Sequence, residues 1–223
     1  MKKALALSLS MILFFSSQIR VTASGEETGK TQTNAVGETV SAVSDAAVAA
    51  QFEVDCRSAV LMEAGTGTVL FSKNEKTSYP PASVTKIMTL LLFFEALDSG
   101  QFSLSDKVRV SESAAAMGGS QVFLKEGEEI TVEELLKCTV IASANDAAYA
   151  LAELVAGSEE VFVDRMNKRA EELGLTGTHF ENVTGLDDTV RNHVCSAIDI
   201  AVMSRDFFEA GFVYALEFTA MIS

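Results

Sequence analysis

A chain of 223 residues has room for one sizeable domain plus tails. Its 48% hydrophobic and 22% charged residues are those of a globular protein with a real core. A formal net charge of -14 argues against a nucleic-acid partner, because no basic patch outweighs such a field.

The first stretch, "MKKALALSLSMILFFSSQIRVTASGEE", sets two lysines before an apolar run from Ala4 to Phe15 and then reaches small residues. With Val21-Thr22-Ala23 as cleavage signal, residues 1–23 read as a secretory signal peptide, and the chain as exported. The apolar run is short for the alternative, an uncleaved membrane anchor. No cysteine lies near the cleavage region, which disfavours a lipoprotein anchor. Residues 24–50 are small, polar and free of aromatics, the composition of a flexible leader. The folded body is expected over 51–223.

That body opens with Val60 to Glu63 and Thr68 to Ser72, two strands around Gly65-Thr66-Gly67, hence a β-hairpin. The chain's only prolines, Pro80 and Pro81, then lead into a helix beginning near Ser83, because proline suits a helix start and little else. Leu90, Leu91, Phe94 and Leu97 keep helical spacing and Phe93 thickens the stripe, so this helix is expected to be largely buried, ending at Asp98-Ser99-Gly100. Thr131 and Glu134 have capping-box spacing ahead of the next helix. "SANDAAYALAELVAG" predicts another, stopped by Gly157. An amphipathic helix follows through Phe162, Met166, Ala170 and Leu173, closed by Gly174. After an irregular loop, Ser196 and Asp199 are placed to cap a last helix through Gly211. One hairpin with several helices predicts an α+β domain.

Cys56, Cys138 and Cys195 form an odd set without CxxC spacing, so zinc is not expected and at most one disulfide can form. Cys138 reads as a small buried hydrophobe. The two histidines, His179 and His193, sit in no motif; nothing supports a Ser-His-Asp triad, and His193 reads as structural. Asn182-Val183-Thr184 matches a glycosylation sequon that reads as chance.

Lysine is the alternative base. Ser83-Val84-Thr85-Lys86 puts a hydroxyl and an amine three residues apart on one helix face. The helix start offers backbone amides to a developing oxyanion, and burial against "IMTLLLFF" favours a neutral amine that can accept a proton. S-x-x-K alone arises by chance about once in a chain of this size. The plain reading makes Ser83 an N-cap and Lys86 a solvated charge. Downstream, Ser143-Ala144-Asn145 falls between two predicted helices, where a hydroxyl and an amide can relay a proton and bind a peptide carbonyl. Here the plain reading is that Ser143 and Asp146 have N-cap spacing.

S-x-x-K followed by S-x-N is the signature of penicillin-binding proteins and serine β-lactamases. The phrases "PPASVTKIMT", "GGSQVFLKEGEEITVEELLKCTVIASANDAAYALAE", "MNKRAEELGLTGTHFENVTGL" and "HVCSAIDIAVMSR" resemble serine-type D-alanyl-D-alanine carboxypeptidases, the low-molecular-weight penicillin-binding proteins, in the branch of spore-forming Gram-positive bacteria. The likeness runs from Asp55 to Phe207. It implies a penicillin-binding protein/β-lactamase-like transpeptidase fold and a hydrolase that trims peptidoglycan outside the cytoplasmic membrane. Carried over by residue, Ser83 is the nucleophile on the carbonyl between two terminal D-alanines, Lys86 the general base, and Ser143 the proton relay. Asn145 binds the substrate backbone. The implied partners are the D-Ala-D-Ala stem peptide and, as inhibitors, β-lactams; no metal or cofactor is implied.

The chain departs from that pattern in one respect. The family's third motif, K-T-G, is expected on a strand after the last helix, and no K-T-G occurs up to Ser223. The expectation is therefore a C-terminally truncated fold, with hairpin and helical region present and later strands missing, and membrane association only through a missing C-terminal region or an uncleaved signal. A class A β-lactamase would carry E-x-x-L-N, and no Leu-Asn pair occurs. The alternative from another class is a non-catalytic relative, for cell-wall binding or β-lactam sensing.

Overall fold

The computed structural model describes residues 54–186 and 190–222, with side chains as far as Glu209. The signal peptide over 1–23 and the leader over 24–50 lie outside the described residues. The unit formed from Ser58 onward holds every element below.

Its first element is the expected hairpin, β1 (Ala59–Met62) antiparallel to β2 (Val69–Lys73), with a bulge between Leu61 and Met62. The turn is built by Glu63, whose carboxylate accepts from the Gly65 and Thr66 amides at 2.9 and 2.6 Å and from the Thr66 hydroxyl. These bonds, the Thr66 hydroxyl first, hold the Glu63 carboxyl below its usual range.

A short strand β3 (Ser78–Tyr79) leads to the prolines. The α-helix does not open directly at Ser83 as expected: Ala82–Thr85 is a 3-10 turn, and α1 runs Lys86–Asp98. The cause is Ala82, which the fold holds at a φ of 48, outside the helical region. Ser83 makes no capping bond, so the N-cap reading is set aside. α1 is buried on nearly every side, by Met88, Leu90, Leu91, Leu92, Phe93, Phe94, Ala96 and Leu97. It packs against α4 (Asn145–Ala156), α5 (Glu159–Glu172) and α6 (Ala197–Ile222). A helix apolar all round is a domain's core, not its surface.

Between α1 and α4 lie β4 (Lys107–Arg109), paired with β5 (Glu129–Thr131), then α2 (Glu112–Ala115) and α3 (Val132–Ile141). The Thr131–Glu134 capping box forms reciprocally. Gly157 ends α4 in the left-handed conformation, as expected of a stop. Phe162, Met166 and Ala170 are the buried face of α5. β6 (Cys195–Ser196) pairs with β3, and the Ser196 hydroxyl caps α6 by accepting from the Asp199 amide at 3.2 Å. α6 continues past Gly211 to Ile222, because one glycine costs a helix only about 1 kcal/mol.

The fold is α+β, with three two-stranded sheets around a helical core. Among the described residues, no helix is long and apolar enough to cross a membrane. No disulfide joins Cys138 to Cys195, and burial pushes the Cys195 thiol up to about 12. Phe93 is fully buried in α1, tilted against Phe102 at 5.3 Å. Phe93→Ala is expected to remove about 3–5 kcal/mol of stability, read as a lower urea midpoint with an unchanged slope.

Candidate active site

Lys86 opens α1 and is 4% exposed. Its Nζ lies 2.7 Å from Asn145 Oδ1, 3.1 Å from the Thr184 carbonyl and 3.2 Å from Ser83 Oγ. The Asn145 amide can face only one way, because its Nδ2 donates to the Gly118 carbonyl at 2.8 Å. Asn145 Oδ1 and the Thr184 carbonyl can only accept. A neutral amine gives its two protons to those oxygens and is left with one lone pair, aimed at the Ser83 hydroxyl. Burial lowers the Lys86 pKa to about 8, so at pH 7 about one molecule in ten carries the neutral amine.

Each member is brought in by a different part of the fold. Ser83 rides on the 3-10 turn after Pro81, one turn before Lys86. Asn145 is the first residue of α4, its amide bonded to the Ser120 carbonyl at 2.7 Å. Thr184 arrives from the loop after α5, where Asn182 Oδ1 accepts from the Thr184 and Gly185 amides and Asn182 Nδ2 donates to the Leu186 carbonyl. The sequon asparagine is thus engaged in its own turn. A β-carbon on Gly185 would lie 1.8 Å from the Ala82 carbonyl oxygen, so only glycine lets this loop reach the turn carrying Ser83.

The structure therefore joins Ser83, Lys86 and Asn145 in one hydrogen-bonded network. Ser143 stands two residues before Asn145 in left-handed backbone, φ 52, half-buried. No hydrogen bond links its hydroxyl to the other three among the described residues. Nor does it cap α4: Ala144 is the N-cap, without a side-chain bond. Asp146, fully buried, spends its carboxylate on the Val122 and Leu124 amides at 3.0 to 3.2 Å, and on that of Ala147. Between the two clamped amides Phe123 is held at a φ of 62, 75% exposed. Sequence reasoning read Asp146 as part of an N-cap and Thr184 as part of a chance sequon, and missed Gly185; the N-V-T-G run was the only local signal for the last two. Among the described residues no three His, Cys, Asp or Glu side chains could hold a metal ion.

A serine hydroxyl 3.2 Å from a buried lysine amine, at the start of a core helix, is a pairing that acyl-transfer chemistry can use with lysine in place of histidine. The matches to known proteins give the family. Residues 43–220 match the Peptidase_S11 family, D-alanyl-D-alanine carboxypeptidase. The chain belongs to that family. It is 56% identical over 155 residues to the D-alanyl-D-alanine carboxypeptidase DacF of Bacillus subtilis, covering 70% of this chain and 39% of that protein. DacD of Escherichia coli is 42% identical over 159 residues, 69% of this chain and 40% of that one. Among solved structures, D-alanyl-D-alanine carboxypeptidase DacD from Francisella tularensis superposes with a TM-score of 0.70 at 32% identity, covering 82% of this chain and 43% of its own. Penicillin binding protein 6B from Escherichia coli gives 0.65 at 41%, covering 68% and 49%. The fold is that of the penicillin-binding proteins, and the chain spans about two fifths of the length of these curated relatives.

The lowered Lys86 pKa makes stability depend on pH. The unfolded chain holds the lysine proton up to about pH 10.5, the folded chain only to about 8. Folding therefore releases a proton between those values, and stability rises with pH across that window. Below pH 8 the penalty is fully present, about 3 kcal/mol for a group this buried. Denaturant titrations at pH 7 and 10 are expected to show this gain, and Lys86→Met to abolish it.

Proposed function

We propose that residues 51–223 carry the serine, the base and the substrate-facing amide of a D,D-carboxypeptidase acting on peptidoglycan stem peptides. The observation that supports this most is the 3.2 Å approach of Lys86 Nζ to Ser83 Oγ, with both other neighbours of the amine able only to accept, so that the neutral amine has its lone pair left for the serine. In the forward step the Ser83 hydroxyl gives its proton to Lys86 Nζ while its oxygen attacks the carbonyl carbon of the penultimate D-alanine. Collapse of the tetrahedral species breaks the amide bond. The departing D-alanine amine takes the proton that Lys86 Nζ had gained, passed on by the Ser143 hydroxyl; water then adds to the acyl carbon, its oxygen leaving with the shortened peptide and a proton returning to Ser83 Oγ. Asn145 keeps one Nδ2 proton for the substrate backbone, since Gly118 takes only the other. A β-lactam would acylate Ser83 by the same attack.

Such a substrate lies outside the cytoplasmic membrane. The signal peptide read over residues 1–23 provides the matching route, and the proposed location is the cell wall or the outer face of the cytoplasmic membrane. Incubation with benzylpenicillin, followed by intact mass and peptide mapping, tests the reading. A single adduct on Ser83 is expected, lost in Ser83→Ala and formed at least about a hundredfold more slowly in Lys86→Met. Its rate is expected to climb with pH and level off above about 8, where Lys86 has lost its proton. Wild-type chain that stays unmodified from pH 6 to 9 would overturn this reading and favour a wall-binding relative.

A further inference from the structure

The loop after α5 meets the serine turn and the first turn of α1 at more points than Lys86. Thr89 Oγ1 donates to the Val183 carbonyl at 2.7 Å, Gly185 abuts the Ala82 carbonyl, and His193 Nε2 lies 2.7 Å from Thr85 Oγ1. His193 is 5% exposed, its ring edge-on to Phe180 at 5.7 Å. Its Nδ1 accepts from the Glu181 amide at 3.0 Å. A backbone N–H only donates, so Nδ1 carries no proton; in the neutral ring the proton sits on Nε2 and is given to the Thr85 hydroxyl. Burial holds the ring in that neutral form, with Glu181 opposing and His179 assisting. Glu181 is itself tied to the Arg191 and Asn192 amides at 2.8 and 3.0 Å.

Thr85 lies between Ser83 and Lys86 and is fully buried. We propose that His193 is a positioning residue for the Ser83–Lys86 pair, bridging the Glu181 amide and the Thr85 hydroxyl so that the turn carrying Ser83 stays docked on the loop that brings Thr184 to Lys86. His193 touches no reacting atom. Its effect on acylation rests on Ser83 being the nucleophile; its effect on Lys86 does not. Without the bridge, the loop is held to the turn only by the Thr89, Lys86 and Gly185 contacts, it loosens over Thr85, and water gains access to the amine. A histidine that merely filled space would leave the amine as it is.

Two readouts on the full chain separate these cases: the Lys86 13Cε shift followed against pH, and the rate of benzylpenicillin acylation. In His193→Ala the Lys86 titration is expected to move from about 8 toward its ordinary 10.5, and acylation to slow about a hundredfold. Thr85→Val, which removes the same bond at nearly constant volume, should do the same, and the double variant no more than either single one. His193→Gln keeps one donor and one acceptor on the side chain and is expected to restore both readouts. A folded His193→Ala or Thr85→Val whose Lys86 titrates as in the parent would overturn the proposal. Should His193→Ala not fold, Thr85→Val decides. A parent chain that is never acylated counts against the carboxypeptidase reading, while the Lys86 titration still decides the role of His193.

Discussion

An amine taken out of water is the condition around which the rest of this molecule is arranged. Removing an ammonium from solvent costs several kcal/mol unless partners replace the water. Lys86 receives two dipolar acceptors and a hydroxyl, none of them charged. Desolvation therefore wins over compensation, and the amine titrates near neutrality rather than far above it. The same three neighbours decide where the freed lone pair points. The lowered pKa follows from burial, and burial follows from a helix that is covered on nearly every side.

The neighbours come from distant parts of the chain, and holding them strains the backbone. Ala82 and Ser143 both adopt left-handed dihedrals that cost an L-residue about 1–2 kcal/mol. They precede Ser83 and Asn145 by one and two residues. Each is held by contacts that leave little room to relax: Gly185 against Ala82 on one side, and the Asn145 amide on the Ser120 carbonyl on the other. Strain at such positions persists only where the surroundings over-determine it. The buried Asp146 extends the same restraint to the 122–124 strip beside α4.

What could be read from the chain alone was what short-range rules decide. The hairpin around Gly65-Thr66-Gly67, the Thr131–Glu134 box and the Gly157 stop each express a pattern contained in a few neighbouring residues. The two- and three-residue strands β3 to β6 are too short to show alternation, so pairing across more than a hundred residues, as in Ser78 with Ser196, left no local trace. Ser143 and Asp146 obeyed the spacing of an N-cap and are not one; Asp146 found amides 22 and 24 residues upstream that bind it instead. In the site, S-x-x-K and S-x-N announced Ser83, Lys86 and Asn145 by residue type and order. The backbone carbonyl of Thr184, contributed 98 residues from Lys86, has no side-chain signature to announce it.

The orientation of Asn145 also bears on how such a site would age. Hydrolysis of its side-chain amide exchanges one nitrogen for oxygen and alters the shape hardly at all. The resulting carboxylate would face Lys86 Nζ across 2.7 Å while losing the donor that now satisfies the Gly118 carbonyl. A full negative charge there would keep the proton on the lysine. The lone pair that faces Ser83 would then be occupied, and a chain one dalton heavier would hold a salt bridge where a neutral amine had been within reach of a hydroxyl.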